Sequence, residues 1–166
     1  MSAIKKVLIP TDFSIRSLNI LLEYVRNSED QLDITLAHGY ESSISIVDML
    51  FNNKTKKLEQ LQSTDFQESC KLIENTYQSK INQLKVELIP FASRRYFNNY
   101  IDANAFDLLI CPNGFQSKNT AKGSFDLVPY ISKSKFNKQR VDATPKISLE
   151  IQQKERVADL FLSNAK

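Results

Sequence analysis

Short unbroken apolar runs alternate along this chain with longer segments in which apolar residues recur every three or four positions. Residues 7–9 and 108–110 are runs of the first kind, which is typical of strands whose sheet is covered by helices on both faces. Pro10 ends the first run, because proline cannot donate to a sheet ladder. The next segment has one helical face, formed by Leu18, Leu21, Leu22 and Val25. The pattern predicts a central strand, then a helix that Ser14 caps.

The alternation continues beyond this unit. Further strands are predicted at 32–38 and 86–89, and helices at 64–84 and from Ser93 to about residue 105. The first of these helices begins with Thr64-x-x-Gln67, a capping-box pattern. Residues 40–63 lack a clean period and predict a loop with a short helix.

The last part of the chain leaves two alternatives open. Ser124 is a candidate cap for a fourth helix, although Pro129 would delay or break that helix. The closing strand is either 138–141 or 147–151. The whole order predicts an α/β fold: an open, parallel five-stranded sheet with helices on both faces, Rossmann-like in type. We expect one α/β domain over residues 1–151 and a C-terminal helical tail over 152–166.

Composition supports a single globular domain. The chain has 166 residues, of which 42% are hydrophobic and 25% charged, near the averages for such domains. No apolar stretch is long enough for a signal peptide or a membrane span, so we expect a cytoplasmic protein without membrane contact. Cys70, Cys111 and His38 lack the spacing of a disulfide framework or a zinc site, and we therefore expect no metal.

The net charge of +3 is unevenly distributed. Residues 112–146 contain seven basic and two acidic residues, a balance that attracts anions. Nucleotide phosphates, nucleic acid or a solvated lysine-rich surface would each account for it, and the last is the commonest. Nucleic acid is not the favoured partner, because no recognised binding motif accompanies the charge.

Several residues with potential for binding follow strand ends. Asp12 comes after the first strand, Gly39 ends the second, and Gly114, Gly123 and Ser124 follow the fourth. The carboxyl ends of parallel strands meet at one edge of the sheet, where open α/β sheets bind ligands. Neither a Walker P-loop nor a Gly-x-Gly-x-x-Gly fingerprint is present. The alternative is that Asp12 and the glycines only form turns.

Three segments carry a resemblance to a known family. Residues 6–14 (KVLIPTDFS), 34–38 (ITLAH) and 107–110 (DLLI) resemble the universal stress protein family. The resemblance implies a parallel α/β fold, a homodimer, and either binding of ATP or none. It implies that Asp12 and the backbone of Gly39 line an adenosine pocket, and that a Gly-x2-Gly-x9-Gly-[Ser/Thr] loop holds ribose and phosphates.

The phosphate loop departs from the family pattern. Gly114 and Gly123-Ser124 match its second glycine and final pair, but Cys111 replaces the first glycine, and eight residues rather than nine separate Gly114 from Gly123. We therefore expect weak or no ATP binding, with no required cofactor. The predicted binding residues are Pro10, Thr11, Asp12, Gly39, Gly114, Gly123 and Ser124.

These observations predict a non-enzymatic, stress-linked binding or regulatory protein. His38 is expected to be structural, and no serine, cysteine or carboxylate is placed by the sequence to form a nucleophile–base pair with it, so no catalytic residue is predicted. One alternative is an ATP-binding universal stress protein that uses the 111–124 loop. Another is a nucleic-acid-associated protein that uses the basic segment 112–146. A homodimer is expected through the last strand and tail.

Overall fold

The computed structural model of the chain describes residues 3–41, 54–118 and 121–143. The strands are β1 (Ile4–Pro10), β2 (Gln31–Tyr40), β3 (Ile81–Ile89), β4 (Leu108–Asn113), β5 (Ser124–Phe125) and β6 (Lys138–Asp142). The helices are α1 (Leu18–Asn27), preceded by a 3-10 turn (Ile15–Ser17), α2 (Lys54–Leu61), α3 (Thr64–Thr76), α4 (Arg94–Ala103) and α5 (Val128–Ser132).

Five strands form one parallel sheet in the order β3-β2-β1-β4-β6. The short strand β5 is antiparallel and pairs with the end of β2. The predicted α/β class is confirmed, with one additional strand that the pattern did not reveal. The closing strand is β6, the first of the two alternatives; residues 147–151 lie outside the described part of the chain.

The unbroken apolar run of β1 serves two cores. Val7 and Ile9 face the core formed with α1 and α3, whereas Leu8 faces the core formed with α4 and α5. All three side chains are fully buried. Successive side chains of a strand point to opposite faces, so a strand covered on both sides requires apolar residues at every position.

Serine side chains begin three of the helical segments. Ser14 caps the turn before α1 by accepting the N–H of Ser17, and Ser93 caps α4 by accepting the N–H of Tyr96, both as predicted. At α3 the prediction was displaced by one residue: Ser63, not Thr64, has extended backbone and accepts the N–H of Phe66.

The predicted extent of α3 was wrong. The helix ends at Thr76 and a turn follows, in which Lys80 and Ile81 both donate to the carbonyl of Tyr77. Ile81 then begins β3, five residues before the predicted start at Val86, and pairs with Leu32 of β2. Ile81 and Leu84 continue the helical spacing of α3 by coincidence. They lie in a strand because the backbone groups along the edge of β2 need hydrogen-bonding partners.

The prediction that Ser124 caps the next helix was also wrong. Ser124 lies in β5, and α5 starts only at Val128, whose N–H donates to the Asp126 carboxylate at 2.9 Å. Pro129 is tolerated because it lies in the first turn of the helix, where N–H groups lack intrahelical partners.

The predicted tail and its boundary at residue 151 lie beyond Ala143 and therefore outside the described residues. Within the described ranges, no helix has both the length and the apolar character needed to cross a membrane.

Candidate functional site

The carboxyl edge of the sheet has a gap next to the end of β2. Strand β1 ends at Pro10, opposite Ala37, while β2 continues to Tyr40. The chain leaves β1 toward α1 on one face and leaves β4 toward the opposite face, so the topological switch point lies between β1 and β4. This is where ligands bind in open α/β sheets, and Asp12 and Gly114 follow these two strands.

Asp12 is held by neighbouring groups of its own chain. One carboxylate oxygen accepts the N–H of Ser14 at 3.0 Å and the Ser14 hydroxyl, and the other accepts the N–H of Lys118 at 3.0 Å. The first two bonds form a local turn. The third joins the β1 turn to the loop after β4, across the switch point. Three of the acceptor positions of Asp12 are thus occupied.

The gap beside β2 is filled by β5. Gly39 pairs with Ile89 of β3 on one side, and its other edge pairs with Phe125, while Tyr40 pairs with Ser124. The N–H of Glu41 adds a 2.7 Å bond to the carbonyl of Gly123. The backbone at Gly39, which the family resemblance assigns to an adenosine pocket, is therefore paired within the chain.

Two glycines permit this close packing. A Cβ atom at Gly39 would lie 2.5 Å from the Phe125 carbonyl oxygen and 2.6 Å from its ring. At Gly123, with φ +96°, it would lie 2.4 Å from the Glu41 carbonyl oxygen. Side chains cannot be accommodated at such distances, so both glycines are required by the contact between β5 and β2.

His38 links β5 to the β1 turn. Its Nδ1 lies 2.8 Å from the carbonyl oxygen of Thr11, and its Nε2 lies 2.8 Å from the hydroxyl of Ser124. The ring is buried and packs on Phe13 at 4.6 Å between centroids. Burial lowers the pKa of His38 below 6.5, against opposing contributions from the Thr11 hydrogen bond, Asp12 and Asp126. The imidazole is neutral at pH 7.

A pocket of about 440 Å³ remains at the switch point. It is lined by Arg16 and by residues 114–118 of the loop after β4. The volume falls within the usual range for small-ligand sites. Gly114 has φ 70°, a conformation that glycine adopts at little cost. Arg16 and Lys118 give this pocket a positive character.

The remaining predicted residues lie deeper. Pro10 and Thr11 are buried at the end of β1, where the Thr11 N–H bonds to the Ala37 carbonyl and the Thr11 hydroxyl lies 2.7 Å from that of Ser17. Cys111, at the position of the missing glycine, is buried in the core beneath α4 and α5, not in the pocket.

The basic segment is partly structural. Lys138 donates to the carbonyls of Ser132 and Ser134 at 2.7 and 2.8 Å, and so caps the end of α5. Other basic residues of the segment, Lys118, Lys122, Lys133, Lys135 and Arg140, are exposed. The nucleic-acid alternative stays a prediction. No cluster of three or more potential metal ligands occurs in ranges 3–41, 54–118 and 121–143.

The sequence placed Asp12, Gly39, Gly114 and Ser124 at one edge, and the structure has them there. It did not indicate that Phe125 would cover Gly39 or that Ser124 would bond to His38. The short antiparallel strand has no period of its own. The signal that the sequence did offer was the presence of glycines on both sides of the contact, Gly123 beside Ser124 and Gly39 near the end of β2.

Comparison with solved structures supports the fold. A protein described as the hypothetical protein PH0823 is 15% identical, with a TM-score of 0.51 over 83% of this chain and 95% of that one. The universal stress protein UspA from Lactobacillus plantarum is 13% identical, with a TM-score of 0.49 over 82% and 97%. A universal stress protein in complex with cAMP is 17% identical, with a TM-score of 0.46 over 84% and 98%.

At these identities the similarity establishes the fold alone, and of these three the first carries that argument. No protein-family model and no curated protein sequence matches the chain. The predicted α/β fold is confirmed by this similarity, and universal stress proteins are among the solved structures to which the chain is similar.

Proposed function

We propose that this chain is a universal-stress-protein-like binding and regulatory protein of the cytoplasm in which the adenosine position is closed by the chain itself. It acts by binding rather than by metabolic turnover, and ATP binds weakly or not at all. The observation that carries the proposal is the pairing of β5 with Gly39 and Tyr40.

The groups that adenosine would have to reach are already paired within the chain. For adenosine to reach the backbone at Gly39, β5 would have to separate from β2, which breaks the Glu41–Gly123 bond and removes Phe125 from its contact with Gly39. Asp12 would also exchange its bond from Lys118 for one from the ligand. Each hydrogen bond contributes about 0.5–1.5 kcal/mol net, and those to charged groups about 1.5–3 kcal/mol.

Before any compensation by the ligand, loss of these two bonds together costs about 2–4.5 kcal/mol, which weakens binding by roughly thirtyfold to a thousandfold, since about 1.4 kcal/mol corresponds to a factor of ten. A nucleotide that bound well would therefore have to recover this energy elsewhere. Structures of similar fold include a universal stress protein in complex with cAMP, so an adenine nucleotide is the natural ligand to test.

The alternative function is ATP binding by an open form of the same edge. One observation favours it: the pocket beside Gly114 has Arg16 and Lys118 at its rim, and both can attract phosphate groups. In that case β5 would be displaced when the nucleotide binds.

Calorimetric titration with Mg-ATP at physiological salt tests the proposal. We expect no binding below the millimolar range. Low-micromolar binding that Asp12→Ala abolishes would contradict it and favour the ATP-binding alternative.

The homodimer predicted through residues 147–161 remains part of the proposal. Light scattering that gives a mass near 19 kDa at high protein concentration would contradict that part.

A further inference from the structure

Ser124 and His38 form a hydroxyl–imidazole pair at the carboxyl edge of the sheet. The Ser124 hydroxyl lies 2.8 Å from Nε2, and the opposite ring nitrogen lies 2.8 Å from the Thr11 carbonyl oxygen. A nucleophile, a base, and a third group that orients the base are the parts of an activated serine. We propose that Ser124 is a nucleophile that accepts acyl groups from small activated esters, with His38 as its general base.

The tautomer of His38 follows from its partners. A backbone carbonyl can only accept a hydrogen bond, so Nδ1 must carry the proton. Nε2 of the neutral ring then has a free lone pair that accepts the hydroxyl proton of Ser124. This is the orientation that a general base needs, and it is fixed by the backbone of Thr11 rather than by a carboxylate.

The reaction is a simple acyl transfer. The Ser124 Oγ forms a bond to the carbonyl carbon of the ester as its proton moves to Nε2 of His38. The bond from that carbon to the ester oxygen then breaks, and the oxygen keeps the electron pair. The imidazolium gives its proton to the departing oxygen, which leaves as the alcohol or phenol and regenerates neutral His38 beside an acylated Ser124.

His38 is shielded from solvent whereas Ser124 is reachable from it, as the reaction requires. His38 is 3% exposed and shielded by Phe13, so bulk water does not compete for its lone pair. Ser124 is partly exposed at the sheet edge, where an ester can approach. An acylated Ser124 can no longer donate to His38, so acylation would also remove one bond between β5 and β2.

The test uses 4-nitrophenyl acetate and the intact protein, with acetylated residues identified by peptide mass spectrometry. Ser93 is an internal control, because it is also partly buried but its hydroxyl accepts the N–H of Tyr96. A general base contributes about 10²–10⁴-fold. We therefore expect Ser124 to be acetylated at least a hundredfold faster than Ser93, and His38→Gln to remove this difference. Equal rates at the two serines, or an acetyl group found on His38 alone, would overturn the proposal.

A pH profile of the wild type keeps the test decisive if His38→Gln does not fold. The charged groups that act on His38 are Asp12 and Asp126. The rate at Ser124 should rise only until His38 is neutral, below pH 6.5, and stay level to pH 8. An unassisted serine would continue to react faster as hydroxide increases, and that profile at Ser124 would contradict the proposal. Neither result depends on ATP binding.

Discussion

Replacing Gly39 with alanine tests directly whether β5 is packed against β2. The added methyl group would lie 2.5 Å from the carbonyl oxygen of Phe125 and 2.6 Å from its ring. Because one of these atoms is backbone, β5 must move away as a unit, by about 1 Å, to reach an ordinary contact distance of about 3.5 Å.

The expected cost combines overpacking with weakened pairing. Overpacking typically costs about 1–3 kcal/mol, and the 2.7 Å bond from Glu41 to Gly123 contributes about 0.5–1.5 kcal/mol net. We expect Gly39→Ala to lower the free energy of unfolding by about 2–3 kcal/mol. For a chain of this size that lowers Tm by roughly 4–12 °C.

The sign of the effect makes the experiment informative. Without β5 in contact, alanine would be the better strand residue, and Gly39→Ala would stabilise the protein by about 0.5–1 kcal/mol. Urea unfolding should be measured for four proteins: the wild type, Gly39→Ala, Phe125→Ala, and the variant that carries both substitutions. The alanine at 39 should cost less when Phe125 is absent. A stabilising effect, or an equal cost in both backgrounds, would refute the reasoning.

Three further predictions concern caps and titratable groups. Ser63→Ala should cost about 1 kcal/mol by loss of the cap on Phe66, whereas Thr64→Ala should change urea unfolding by less than 0.5 kcal/mol; the reverse order would restore Thr64 as the cap. Burial lowers the pKa of His38 below 6.5, so on acidification the unfolded chain binds the proton before the folded chain does. The free energy of unfolding should therefore fall as pH decreases from about 6.5. An equally steep fall of the urea midpoint with pH in His38→Gln would contradict this. Burial raises the pKa of Cys70 to about 12. Iodoacetamide at pH 8 should therefore alkylate Cys70 about a thousandfold more slowly than the thiol of an unstructured peptide. An alkylation rate within about tenfold of the peptide rate would contradict this prediction.

The sequence was most informative where one local pattern had one structural solution. The apolar run in β1 can be buried only by helices on both faces, and the spacing in α1 presents a single apolar side. Both were predicted, and the order of elements then placed Asp12, Gly39 and Gly114 at one edge of the sheet.

Where tertiary contacts decided the outcome, the pattern failed. Ile81 and Leu84 have helical spacing, yet they pair with β2 because its edge needs partners. Ser124 resembles a helix cap, yet its hydroxyl bonds to His38, 86 residues earlier. The contact of Phe125 with Gly39 depends on where β1 stops, and the sequence of residues 123–125 alone does not reveal it.

Amide hydrogen exchange measures most directly whether the chain closes its own carboxyl edge. The N–H groups of Glu41 and Lys118 bond to the Gly123 carbonyl and the Asp12 carboxylate, and the N–H groups of residues 7–9 in β1 provide a protected reference. We predict that both amides exchange well below their intrinsic rates, and that Asp12→Ala releases Lys118 but not Glu41. Exchange of both at intrinsic rates in the wild type, with β1 still protected, would contradict a closed edge.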